Sequence, residues 1–256
     1  MKNQFTPTKI TFWPGLKSAL AGLLLMGIAA SASPAEVLPP SSLPYGYSYE
    51  EWSAKYWQWT LGQSTNHYET LGDPGVCSGP ASRVRFPGPS VIGGDAIHVE
   101  TNHITIADGT PLFFPVFCLW EDNGNCPLSA FTTFTAAQLA TFAEENWSAT
   151  TETSCTIDGV AVPGMKNPTN SVYNVISPPF SYTTAEKDNV LAGALGATCV
   201  PGDFTIYPAV ADGVYVMLAP LSPGKHTIHT VGVIGPLDAP LAKSDRTIEI
   251  TVLPRE

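Results

Sequence analysis

The chain has 256 residues, 22 of them acidic against 12 basic, for a formal net charge of -10. With no basic patch, it is a poor match for nucleic acid or an anionic membrane surface. Only 13% of residues are charged, and 24 prolines and 22 glycines punctuate the sequence, which disfavours a mostly helical protein and fits a turn-rich β-protein.

The first segment reads as a secretory signal peptide over residues 1–32. Lys2, Lys9 and Lys17 precede the apolar run "ALAGLLLMGIAA" (Ala19 to Ala30), and Ala30-Ser31-Ala32 is a small-x-small cleavage site. The apolar run is about a dozen residues, short of the roughly 20 that span a bilayer. No later stretch is long and apolar enough for a membrane helix, so an exported chain of about 220 residues is expected, periplasmic or extracellular.

Residues 33–47, "SPAEVLPPSSLPYGY", are rich in proline and serine and read as an extended leader. Ser48 with Glu51 forms a capping box that starts a helix, and Gly62 ends it. Tyr49, Trp52, Tyr56 and Trp59 recur at spacings of three and four and share one face, while Trp57 points elsewhere. A regular ring face argues for packing against a sheet. The competing reading is a stacking platform for a ligand, for which Trp57 and Trp52 are the candidates, Trp57 being the more exposed.

Short β runs follow: "AIHVE", "HITIA" and "PLFFPVF", separated by polar breaks. A second helix is expected over "TAAQLATFAEENW", capped by Thr135 with Gln138, with Leu139, Phe142, Ala143 and Trp147 as its apolar face. Asp158-Gly159 marks a hairpin inside "TSCTIDGVAV", and "NSVYNVISPPFSYT" reads as a strand ended by prolines. A short helix capped by Thr183 with Glu186 comes next, then "DFTIYPAV", "DGVYVMLAPL", "GKHTIHTVGVI" and "DRTIEITVL". In the last of these Ile248, Ile250 and Val252 alternate with polar residues, a strand with one wet face. Asp108, Asp158 and Asp212 each precede glycine and read as turn formers. The fold expected is mainly β: a β-sandwich, immunoglobulin-like or jelly-roll, with the N-terminal aromatic helix and one or two further short helices. Residues 48–256 form a single domain, or two packed β subdomains meeting near 127–150.

In an oxidising compartment cysteines pair. Cys118 and Cys126 flank the turn sequence "LWEDNGN" and are the expected disulfide, Cys155–Cys199 being the second choice, with Cys77 left over. A zinc site is disfavoured, because no C-x-x-C spacing is present.

Of the histidines, His98 and Glu100 share a face if their strand is regular. Either His226 or His229, but not both, can join them. His98, Glu100 and His226 are therefore the candidate ligands for a divalent metal, with His103 in reserve should the chain turn at Thr101-Asn102. No G-x-S-x-G nucleophile elbow is present.

As a set, "EWSAKYWQW", "GTPLFFPV", "DGVAVP", "YNVISPPFSYT" and "DGVYVMLAPLSPGKHTIHTVG" resemble a group of secreted bacterial proteins sharing a Trp-rich opening helix, a G-x-x-L-F-F-P strand and a closing PGKHTIH hairpin. That resemblance spans most of the exported chain and implies no activity. The last two strands also resemble those of immunoglobulin-like modules, and "HVETNHITIADG" with "PGKHTIH" resembles pieces of a cupin metal site, though the first departs from the His-x-His order. The leading functional expectation is a non-catalytic domain, without cofactor, that binds an extracellular ligand such as a saccharide or a component of the cell envelope. The alternative is a secreted enzyme using the His/Glu metal site or paired carboxylates.

Overall fold

The computed structural model describes residues 35–65, 71–73, 75, 79–88, 97–124, 133–193 and 196–255. The stretch expected to be a plain leader is part of the fold. Val37–Leu38 (β1) lies antiparallel beside Leu218 and Met217, and two short 3-10 turns follow at Pro40–Ser42 and Pro44–Gly46. Two rings of the next helix hold it there. Tyr49 Oη donates to the Leu38 carbonyl at 2.6 Å, and Trp52 Nε1 donates to the Pro44 carbonyl at 2.9 Å.

That helix is α1, Tyr49–Leu61, and both arms of the Ser48/Glu51 capping box are made. Its remaining neighbours follow in chain order. Leu71–Gly72 (β2) pairs with Phe86–Pro87 (β3); Ile97–Ala107 (β4) and Leu112–Asp122 (β5) come next. Ala136–Trp147 (α2) carries the Thr135/Gln138 capping box and buries Leu139, Ala143 and Trp147, with Phe142 half-buried. Then come Thr150–Ile157 (β6), Val160–Ala161 (β7), Asn174–Ile176 (β8), Phe180–Thr183 (β9), Val190–Gly193 (α3), Thr205–Leu218 (β10), Gly224–Ile234 (β11) and Ala242–Leu253 (β12).

Ten of the strands form two five-stranded sheets, and β2 and β3 make a separate two-stranded one. In the first, β10 pairs antiparallel with β5 along one edge and with β1, β8 and β9 along the other. The second runs β4-β12-β11-β6-β7, antiparallel throughout except for the parallel pair β4–β12. The protein is thus mainly β with short helices, as composition and alternation imply. Each sheet draws strands from both sides of residues 127–150, so that segment is not a boundary between two packed units. One apolar cluster joins α1, α2 and both sheets.

Several local expectations give way to tertiary pairing. "AIHVE" and "HITIA" are one continuous strand, β4, because β12 supplies a partner for every residue from Ile97 to Ala107. Thr183 lies in β9 and caps nothing; the short helix starts later, at Val190. Asp108 and Asp158 do sit in turns, but Asp212 does not. It lies in the middle of β10, opposite Leu119 on one side and Ile176 on the other, and is 2% exposed.

The aromatic helix is buried on more than its periodic face. Tyr49, Trp52, Tyr56 and Trp57 are all within 2% of full burial, whereas Trp59 on the same periodic face is only half-buried. Trp52 sits edge-on to Tyr47 at 5.4 Å and to Phe86 at 6.3 Å between ring centroids. Emptying such a site costs about 3–5 kcal/mol. Trp52→Ala is therefore expected to destabilise the protein by that amount in denaturant melts, and an unchanged midpoint would refute core packing of the helix.

Asp212 allows a second test. Burial pushes its carboxyl up to about 6, helped by Glu144, while Asn174 Nδ2 at 2.6 Å and the Gly213 amide pull the other way. Between about pH 4 and 6 the folded protein holds a proton that the unfolded chain has released, so stability falls as pH rises through that window and levels off above it. The gap from the usual 3.8 to about 6 corresponds to roughly 3 kcal/mol as an upper bound. Asp212→Asn should raise the melting temperature by a few degrees at pH 7.5 and change it little at pH 4. Equal effects at both pH values would contradict this account.

Candidate functional site

The register of the second sheet sorts its inner-face residues into rows. Ile104, Ile250 and His226 form one row; Asn102, Ile248, Ile228 and Ile157 form the next. Then come Glu100, Arg246, Thr230 and Cys155, and finally His98, Ser244, Gly232 and Thr153. The inner face is thus apolar towards one end and polar towards the other. Phe117 from β5 lies on Gly232, where a Cβ would meet its ring at 2.1 Å, so the two sheets come close there.

Arg246 dominates the polar end. It is 1% exposed. Its Nε lies 2.9 Å from Glu100 Oε1, and its Nη2 donates to the carbonyls of Pro87 and Gly88 at 2.8 and 2.5 Å. Neither Nε nor Nη1 makes a hydrogen bond to a described residue, and both nitrogens are sealed from solvent. The other Glu100 oxygen, Oε2, lies 3.2 Å from His98 Nε2.

A cavity of about 230 Å³ opens beside this guanidinium, along the side of β5 that faces away from β10. Trp57, Cys118 and Trp120 form one wall; Thr230, Ser244 and Arg246 form the other. The two indole rings lie 4.5 Å apart, tilted by 38°. Both ring N–H groups are engaged elsewhere: Trp57 Nε1 donates to Tyr215 Oη and Trp120 Nε1 to Asp122 Oδ2, each at 2.9 Å. What the rings offer the cavity is therefore ring surface. Asp122 is held in turn by the Tyr182 hydroxyl and the Gly124 amide.

The residues singled out from sequence fare differently. Trp57 lines the cavity, but as a ring only 2% exposed rather than the open platform expected, because α1 is wedged against β5 and β10 on that side as well. Trp52 is fully buried among Tyr47, Phe86 and Phe113 and does not reach the cavity. His98 and Glu100 do meet. His226 does not join them: it lies opposite Ile250, and His98 lies opposite Ser244, so six positions of β12 separate the two, roughly 20 Å along the strand. The three-ligand metal site is corrected accordingly, and among the described residues no group of three His, Cys, Asp or Glu stands close enough to hold an ion. His103, the reserve ligand, faces the other side of the sheet beside Glu249 at 3.1 Å, because β4 runs straight through Thr101-Asn102.

His226 has its own setting. Its Nδ1 lies 2.7 Å from Asp158 Oδ2, its Nε2 lies 2.8 Å from the Ser222 carbonyl, and the Ser222 hydroxyl is 3.5 Å away. The elements of a Ser-His-Asp triad are present in order, but the ring nitrogen that would take the serine proton is already engaged by a carbonyl. The arrangement fastens the β11 start to the Asp158 turn, where Asp158 Oδ1 also accepts from the Thr227 amide at 2.8 Å.

The expected disulfide is also corrected. Cys118 and Cys155 are free thiols, which rules out both Cys118–Cys126 and Cys155–Cys199. Cys199 is disulfide-bonded, with its partner outside the described residues, as Cys77 and Cys126 both are. The short-loop argument failed because β5 continues to Asp122 and aligns Cys118 with Gly213 of β10, its thiol packed into the interior rather than towards the turn.

Arg246 was the residue that sequence reading passed over. The signal was there: the alternation of Ile248, Ile250 and Val252, continued two residues back, puts Arg246 on the buried face.

No family model matches the chain, and no curated protein matches it. Among solved structures, PbICP-C in complex with falcipain-2 is 12% identical with a TM-score of 0.23, covering 66% of this chain and 98% of that one. Amebosin in solution is 12% identical with a TM-score of 0.19 over 62% and 99%. The cysteine protease inhibitor EhICP2 from Entamoeba histolytica is 13% identical with a TM-score of 0.16 over 61% and 94%. Scores this low carry no functional inference.

Desolvation pushes the thiols of Cys118 and Cys155 up to about 12, leaving almost no thiolate near neutral pH. Both are expected to resist iodoacetamide at pH 8 in the native protein and to be alkylated once it is unfolded without reductant. Peptide mapping that finds Cys118 linked to Cys126 would disprove the assignment.

Proposed function

We propose that this chain is an exported, non-catalytic domain that binds a small extracellular ligand in the cavity between Trp120 and Arg246. The observation that carries the reading is the cavity itself, walled by the Trp57 and Trp120 rings on one side and by Thr230, Ser244 and Arg246 on the other. The cavity, about 230 Å³, is somewhat smaller than the roughly 300 Å³ and upward of drug-sized sites, so it suits a single ring or a short chain.

Binding is favoured over catalysis by what the walls contain. Among the described residues lining the cavity there is no carboxylate and no histidine, and the Cys118 thiol is held protonated by burial. Ser244 and Thr230 have no base beside them there to activate a hydroxyl. Elsewhere, Glu144 and Glu145 are exposed on α2, and Asp122 is engaged by Trp120 and Tyr182. Export rests on the lysine-then-apolar segment and its Ala30-Ser31-Ala32 cleavage pattern. The resemblance to secreted bacterial proteins agrees with it.

The test is ligand-observed NMR on the exported protein with glucose, N-acetylglucosamine, galacturonate, hexanoate and benzoate. At least one should bind saturably. Ala242→Trp, which fills the cavity from the start of β12, should abolish that binding while the melting temperature is retained. Silence across the panel, or binding that survives Ala242→Trp, would overturn the reading.

A further inference from the structure

We infer that His226 is a proton-dependent clasp: only its doubly protonated ring fastens the loop between β10 and β11 to the Asp158 turn, and the fastening loosens as pH rises. Both ring nitrogens face acceptors. Nδ1 lies 2.7 Å from Asp158 Oδ2, and Nε2 lies 2.8 Å from the Ser222 carbonyl oxygen. A carboxylate and a carbonyl can only accept, and a neutral imidazole has a single N–H to give. Both contacts are hydrogen bonds only when each nitrogen carries a proton. With one proton gone, a ring lone pair is left pointing at an oxygen.

The surroundings sharpen that requirement. Asp158 meets the ring as a carboxylate: its other oxygen, Oδ1, accepts from the Thr227 amide, and its side chain is 42% exposed, so water solvates the charge. The imidazole is nearly buried, and little water reaches it to replace a lost bond. The other three histidine–carboxylate pairs differ. His98, His103 and His229 each have a partner on one ring nitrogen only among the described residues, so a neutral ring serves there.

The remaining charges around the clasp are few. On the solvent side of the sheet stand Lys225 next to it on β11, Glu249 next to Ile250 on β12 and His103 next to Ile104 on β4. Asp108 and Arg255 close the same end of the sheet, and exposed Glu36 accepts the Ala219 amide through its backbone carbonyl. Inside, the row neighbours of His226 are Ile250 and Ile104, and residues 219–223 carry no titratable side chain. That loop crosses from the first sheet to the second and buries Leu221 in the common core. The clasp thus ties the crossing to the turn between β6 and β7.

Two measurements test this. In nitrogen NMR of histidine-labelled protein at pH 5.5, both His226 ring nitrogens should give the signals of protonated nitrogens. Amide exchange of Thr227, expressed as protection over the unstructured rate and referred to the β10 amides that report global unfolding, should fall at least about tenfold between pH 5.5 and 8.5. That is the loss of one hydrogen bond to a charged group. The decisive variant is Asp158→Asn. Asparagine tolerates the positive φ of 51° at this turn, its oxygen can still accept from Thr227, and its amide can donate to an unprotonated Nδ1 while Nε2–H donates to Ser222. The variant should therefore lose the pH dependence or reverse it. A ring nitrogen without a proton at pH 5.5, or equal Thr227 protection at both pH values, would overturn the clasp. So would the same fall in Asp158→Asn as in the unaltered protein. If that variant does not fold, the ring signals and the Thr227 protection of the unaltered protein decide.

Discussion

Strand Thr205–Leu218 has a partner on both of its edges, and the arrangement of the molecule depends on that constraint. β5 occupies one edge from Ala209 to Leu218, and β1, β8 and β9 share the other. A strand so placed must bury every backbone polar group in ladder bonds and cover both faces with apolar groups. From Pro208 to Leu218 every residue is buried. α1 covers one face through Tyr215, which stacks on Phe113 at 5.5 Å and accepts the Trp57 N–H, and α2 also packs against β10. Pairing on both sides is also what turns Asp212 from a turn former into a buried acid.

The same constraint creates the site. Because β10 takes one edge of β5, the other edge of β5 faces out of the first sheet and meets the polar end of the second. Apart from the bridge between Arg85 and Leu112, no strand among the described residues pairs with that edge. Such an edge attracts other strands unless it is covered. Here Pro115, which has no N–H to donate, lies on it, and the Arg246 neighbourhood covers its middle.

Arg246 holds that junction together at some energetic cost. A buried ion pair seldom stabilises more than a well-packed apolar pair of the same volume, and a half-satisfied guanidinium is worse. Glu100 pairs with the cation at Nε, and the carbonyls of Pro87, in β3, and of Gly88 accept from Nη2, which ties that segment to the second sheet.

Local sequence determined the two capped helices and the faces of the strands. The Ser48/Glu51 and Thr135/Gln138 boxes start helices where their spacing says they must, because caps satisfy N–H groups within four residues and need nothing from the rest of the chain. Alternation in "TIEITVL" placed Ile248, Ile250 and Val252 inward, and would have placed Arg246 with them. What sequence could not determine is which strands pair and in what register. The metal trio failed on a six-residue offset between His98 and His226 along β12, a quantity set by the pairing of three strands distant in sequence. The disulfide failed because β5 continued past Cys118 against a β10 that lies about ninety residues on. The ring helix was judged by its own periodicity, yet Trp57 was buried by a sheet on the side that periodicity had assigned to solvent. Short-range signals encode what a segment can satisfy within itself. The cavity is made where α1, β5, β11 and β12 meet, and only the long-range pairing of the strands brings Trp120 and Arg246 to opposite walls of one space.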